Sequence, residues 1–249
     1  MHTKPEIQTY YNRFHQRKRL LNEYNVNKRL TLAVEVFLKD YAGNIALDIG
    51  CGPGRLTDTL LKKFSYVVGM DISQDSVKFA YKNSRIKEKC DFVVADTSYL
   101  PFKKGCFDTI VMSEVLEHLY CQKQVLKEIK KLLKYQGYLI LTTPNRVYRD
   151  IHHLIYTLAQ KSKFGQIIEN QLYPAELRIL VRNFFIIQKE KGVFFSLPFI
   201  DFEIFLYYFN NTFLLSIRNW FSEFLENRDL LPRLAQHQCL VCSPRYNSV

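Results

Sequence analysis

No stretch of the 249 residues holds about 18 uninterrupted apolar positions, the length that a membrane-crossing helix needs. The opening segment "MHTKPEIQTYYNRFHQRKRL" is polar and basic, without the apolar h-region of a signal peptide. The six cysteines follow no disulfide-framework spacing. These absences predict a reduced, cytoplasmic protein. Acidic residues are also short, 24 against 35 basic ones, which leaves a formal charge of +11. That excess favours a polyanionic partner, either nucleic acid or an anionic membrane surface, and says nothing about fold. Glycine is scarce as well, with nine in the chain, yet three of them crowd into "GCGPG" at 50–54.

What is present is alternation. "NIALDIG", "YVVGMD", "DFVVAD", "FDTIVMS" and "YLILTTP" read as five buried strands. Between them, "RLTDTLLKKF", "SQDSVKFAYKNS" and "QKQVLKEIKKLLK" read as helices, the second capped by Ser73 and the third ending near Gly137. Residues 6 to 39 look helical ahead of this core. Strands alternating with helices predict an α/β architecture, a doubly wound parallel sheet with helices on both faces.

A strand, a glycine-rich turn and a helix form the ligand-binding crossover of such a sheet. Gly50, Gly52 and Gly54 let backbone approach a ligand where a Cβ would collide. Asp71 ends the second strand, where a carboxylate can accept both hydroxyls of a ribose. Asp96 closes the third strand on the same edge. A dinucleotide fingerprint needs G-x-G-x-x-G, and its third glycine position here is Arg55. A P-loop is excluded, because no G-K-[ST] follows.

At this point "LDIGCGPG", "VVGMD" and "ADTSYLPFKKGCFDTIVMSEVLEHL" resemble the class I S-adenosylmethionine-dependent methyltransferases over about residues 40–145. The resemblance implies a seven-stranded, mostly parallel Rossmann-like sheet with an antiparallel last strand and a helical lid or insert. It implies S-adenosylmethionine as methyl donor, with Asp71 and neighbouring Ile72 at the ribose and Asp96 and Thr97 near the adenine. Asp48, Gly50, Cys51, Gly52 and Gly54 would flank the methionine part, and Ser113 would sit near the reacting methyl. Substrate signatures are mostly missing: there is no N-P-P-Y or D-P-P-Y tetrapeptide, no Pro-Cys dipeptide and no paired-glutamate loop.

"SEVLEHL", "LTTPNR" and "YPAELRILVRNFF" resemble the branch that contains the ubiquinone-biosynthesis O-methyltransferases. Its E-x-x-E-H cluster, associated there with a divalent cation, maps to Glu114, Glu117 and His118. On a helix, Glu114 and His118 would share a face and act on one ion or one proton. The alternative is that Glu117 and His118 only cap and solvate a helix start. His152 and His153, after the fifth strand, are further base candidates. The expected acceptor is a small or lipid-like molecule methylated at oxygen; the alternative is RNA, through the basic segment "RFHQRKRL".

The expected layout is one domain over 1–249, with an N-terminal helical cap over 1–40 and a donor-binding core over 40–145. A lid follows over 146–183, and an aromatic insert occupies 198–232. "FFIIQKEKGVFF" and "AQHQCLVCSP" read as the last two strands. Cys239 and Cys242 form a lone C-x-x-C near His237, but positions three apart in a strand face opposite ways, which disfavours a metal site. In the insert, Phe213, Ile217, Trp220 and Phe224 form a helical stripe suited to core, to a homodimer interface or to peripheral membrane contact.

Overall fold

The computed structural model describes residues 8–9, 34, 37–38, 40–84, 86–150, 170–193, 235 and 237–246. Nearly all of the expected N-terminal helix, most of the lid with His152 and His153, and the whole insert at 198–232 lie outside the described residues. No described helix is long and apolar enough to cross a membrane.

Seven strands form one sheet: β1 (Gly43–Ile49), β2 (Phe64–Asp71), β3 (Cys90–Val94), β4 (Phe107–Ser113), β5 (Leu133–Pro144), β6 (Phe185–Val193) and β7 (His237–Pro244). Their spatial order is β3-β2-β1-β4-β5-β7-β6. The first five pair in parallel. The last strand, β7, runs antiparallel between β5 and β6. The order reverses between β1 and β4, so their carboxyl ends border the crevice where such sheets bind ligands.

Period-two burial explains why the strands read as apolar runs. Leu47, Ile110, Met112, Leu139 and Leu141 join one core with α3 (Gln122–Leu132) and α4 (Pro174–Arg182). Ala46, Val111 and Ile140 face the opposite core, with Val34, Phe37, Leu38 and Leu60. In β7, Cys239 belongs to this second core and Cys242 to the first, so the two thiols are on opposite faces of the sheet.

Three local expectations are corrected. The segment after the glycine turn is α-helical only over α1 (Thr57–Leu60), because Phe64 already enters β2. The helix expected to run to Gly137 stops at Leu132, since Leu133 pairs with Phe107 in the sheet. Gly137 instead marks an irregularity within β5. A Cβ there would stand 3.0 Å from the Asp108 carbonyl oxygen, so any larger residue would push the neighbouring backbone aside. The third correction, at Glu114, belongs to the site.

The Ser73 cap is as expected: its side chain accepts from Ser76 N at 3.2 Å at the start of α2 (Gln74–Asn83). Ser73→Ala should therefore cost about 1 kcal/mol, the usual loss for a deleted N-cap. Urea unfolding measures it, and an unchanged midpoint would show that the cap contributes nothing.

Candidate active site

The turn after β1 is fastened to the end of β2. Gly50 N and Cys51 N both donate to the Met70 carbonyl, at 2.7 and 3.0 Å. Gly50 and Gly54 have φ of 74° and 80°, left-handed values that favour glycine. A Cβ on Gly50 would meet Val115 Cγ2 at 2.2 Å, and one on Gly54 would meet Ala80 Cβ at 3.1 Å. The turn is thus pressed against the segment that follows β4 and against α2.

Asp71 is the hinge of this edge. Its Oδ2 accepts from Gly52 N at 2.8 Å, and its Oδ1 accepts from Ser73 N at 2.8 Å. Burial pushes its carboxyl up, while the backbone N–H groups of Ser73, Gly52 and Ile72 pull it back down. The two carboxylate oxygens offer four acceptor sites against these three N–H groups, so a site is left for a ligand. The Ile72 carbonyl accepts from Gln8 Nε2 at 3.0 Å, which brings Gln8 to the same edge. No sequence signal singled out Gln8.

Asp96 lies two residues beyond the end of β3, in a turn where its Oδ1 accepts from Ser98 N at 2.8 Å. Thr97 follows in that half-buried turn. The buried Cys51 thiol is raised well above its ordinary range by burial, then by the charges of Asp48 and Asp71. It is a packing group rather than a nucleophile.

Asp48 is buried beneath the glycine turn, and its Oδ2 has no hydrogen-bond partner. Burial, with the Asp71 charge behind it, pushes this carboxyl up to about 7. An unfolded Asp titrates near about 3.9, so between those values the folded chain holds a proton that the unfolded chain has released. Stability must therefore fall as pH rises through that window. The ligand-free protein should lose about 2 kcal/mol between roughly pH 5 and 7, read from urea unfolding, and Asp48→Asn should flatten the slope. An equal slope in the variant would place the proton elsewhere.

After β4 the expected shared helix face does not form. Glu114 has φ of 56°, the one left-handed non-glycine among the described residues, and only Leu116–His118 is helical, as a 3₁₀ turn. Glu117 is buried: its Oε2 accepts from Thr143 Oγ1 at 3.2 Å, and its Oε1 lies 3.5 Å from His118 Nε2. Its backbone carbonyl also accepts from Asn170 N. Glu114 turns the other way. Its Oε1 accepts from Thr142 Oγ1 at 2.9 Å, and its Oε2 lies 2.8 Å from His237 Nδ1. Glu114 and His118 are therefore committed to different partners. Among the described residues no group of three or more His, Cys, Asp or Glu side chains is gathered to hold a metal ion.

Ser113, the last residue of β4, has its Oγ 2.8 Å from Thr142 Oγ1. The Thr142 hydroxyl gives its one proton to Glu114, so Ser113 must be the donor of that bond. Ser113, Thr142, Glu114 and His237 thus form one line along the edge where β4 and β5 end and the antiparallel β7 begins. Sequence reading placed His237 beside the cysteines; its pairing with Glu114, 123 residues away, leaves no local signal.

The donor-side features fit a nucleoside with a cationic tail. An orphaned carboxylate oxygen lies under the turn, a carboxylate with spare acceptor capacity ends β2, and glycines keep the cradle free of Cβ atoms.

A protein-family model described as a methyltransferase domain matches residues 47–141. The ubiquinone biosynthesis O-methyltransferase of Pelagibacter ubique is 36% identical over 105 residues, 42% of this chain and 43% of that protein. The demethylmenaquinone methyltransferase of Lactobacillus johnsonii is 34% identical over 106 residues, 40% of this chain and 43% of that protein. The chain thus matches less than half the length of these curated relatives. Among solved structures, an S-adenosylmethionine dependent methyltransferase from Mesorhizobium loti superposes with a TM-score of 0.61 at 16% identity. That superposition covers 86% of this chain and 96% of the other, and shows the shared fold.

Proposed function

We propose, from the premise that residues 47–141 are a class I S-adenosylmethionine-dependent methyltransferase domain, that this chain methylates a hydroxyl of a small or lipid-like molecule. The observation that carries the reading is the donor crevice: Asp71 fixed across the glycine turn, with the unpartnered Asp48 oxygen beneath it.

Bound there, S-adenosylmethionine supplies a methyl group already activated by its sulfonium charge. Asp71 would accept hydrogen bonds from its ribose hydroxyls, with Ile72 beside it, and Asp96 and Thr97 would flank the adenine. Asp48, Gly50, Cys51, Gly52 and Gly54 would border the methionine part. Ser113 would stand at the reacting methyl. Alignment and exclusion of water are the chief contributions, because a held near-attack geometry replaces a bimolecular encounter. A hydroxyl acceptor also loses a proton, and a positioned base accelerates that step. Glu114 is placed for proton handling, whereas Glu117 and His118 brace the turn that carries it. His152 and His153 remain base candidates by position in the sequence.

The acceptor class is supported by the names of two relatives, one a ubiquinone biosynthesis O-methyltransferase and the other a demethylmenaquinone methyltransferase. Methyl-labelled donor, incubated with the protein and a total solvent extract of cells, tests the reading. Label should enter an organic-soluble, alkali-resistant methyl ether. Label confined to RNA or protein in a parallel lysate reaction, or to nothing, would contradict it.

A further inference from the structure

Glu114 holds a left-handed backbone conformation, φ 56°, that is strained for a residue with a Cβ. The strain aims its carboxylate along the carboxyl edge of the sheet, where one oxygen accepts from Thr142 and the other meets His237. His237 is the first residue of β7 and pairs with Pro144, the last residue of β5, so it stands on the edge that carries Ser113. Its side chain is 19% exposed, and that of Glu114 18%.

An ionised carboxylate only accepts hydrogen bonds, so the Nδ1 facing Glu114 carries the proton and Nε2 is the basic nitrogen. Resting on the methyl-transfer reading above, we propose that His237 is the general base that deprotonates the acceptor hydroxyl. Glu114 is the residue that positions it.

The step balances. The acceptor O–H proton passes to His237 Nε2, and an oxygen lone pair forms the O–CH₃ bond. The C–S bonding pair stays on sulfur, which becomes the neutral thioether of S-adenosylhomocysteine. The imidazolium then loses its proton to water. The Ser113–Thr142–Glu114 line, whose bonds all donate toward Glu114, holds the carboxylate in place.

The test uses the full chain, methyl-labelled S-adenosylmethionine and the same cell extract as methyl acceptor. His237→Ala should lower label incorporation by about a hundredfold, the scale of a lost general base, while calorimetry shows unchanged donor affinity. Added imidazole should restore part of the rate in His237→Ala and none in wild type. Glu114→Gln, which keeps an acceptor but removes the charge, should lower the rate by about tenfold or more without changing donor affinity. Wild-type incorporation in His237→Ala would overturn the assignment, as would a loss that imidazole leaves untouched while folding and donor binding persist. Failure of the wild-type protein to label anything would overturn the methyltransferase reading, and this proposal with it.

Discussion

Asp71→Ala is expected to lower affinity for S-adenosylmethionine by about a hundredfold or more, because two hydrogen bonds to a charged acceptor, worth about 1.5–3 kcal/mol each, disappear together. The loss has a second source. Gly52 N and Ser73 N both donate to this carboxylate, and both are left without it in the variant. The glycine turn then loosens from β2, and the cradle loses its preformed shape. Asp71→Asn keeps an acceptor for one of those N–H groups and should fall between wild type and alanine. Titration calorimetry separates the three. The same substitution removes the charge that helps to raise Asp48, so the stability step between about pH 4 and 7 should move downward in Asp71→Ala. Wild-type affinity in the alanine variant would remove Asp71 from the donor site.

Gly50→Ala should be the most damaging single methyl group in the described core. The left-handed φ costs a Cβ-bearing residue about 1–2 kcal/mol, and overpacking adds about 1–3 kcal/mol. The added carbon would lie 2.2 Å from Val115 Cγ2, so the turn and the Glu114–Val115 segment must separate. Those two segments are the walls of the crevice. Stability in urea and donor affinity should therefore fall together, by about 2–5 kcal/mol for the former. A control at Gly105, also left-handed but with nothing within 4 Å of an added Cβ, should show only the conformational cost. If Gly50→Ala and Gly105→Ala are equally mild, the close approach at Val115 is not a constraint.

Much of this was legible along the chain. FDTIVMS became β4 residue for residue, because a run buried on both faces has the same apolar signature whichever partner covers it. Asp71 and the glycine turn were legible for a related reason. Their positions follow from strand ends and backbone freedom, which are local properties. The misreadings share an opposite origin. Leu133 continued an amphipathic helical pattern, yet its pairing with Phe107 across the sheet decided its state. Glu114, Glu117 and His118 carry helical spacing, but Thr142 and His237 draw Glu114 one way and Thr143 draws Glu117 another. The partners of Glu114 come from β5 and β7, and no window of sequence contains them both.

The central claim is that the methyl donor sits where β1 and β4 part, and amide hydrogen exchange with S-adenosylhomocysteine tests it most directly. Saturating ligand should slow exchange chiefly at the amides of Gly50, Cys51, Gly52, Gly54 and Arg55, at Ile72 and Ser73, and at Thr97 and Ser98, with the amino ends of the parallel strands unchanged. Slowing concentrated at any other edge of the sheet, or no slowing at all, would contradict the account.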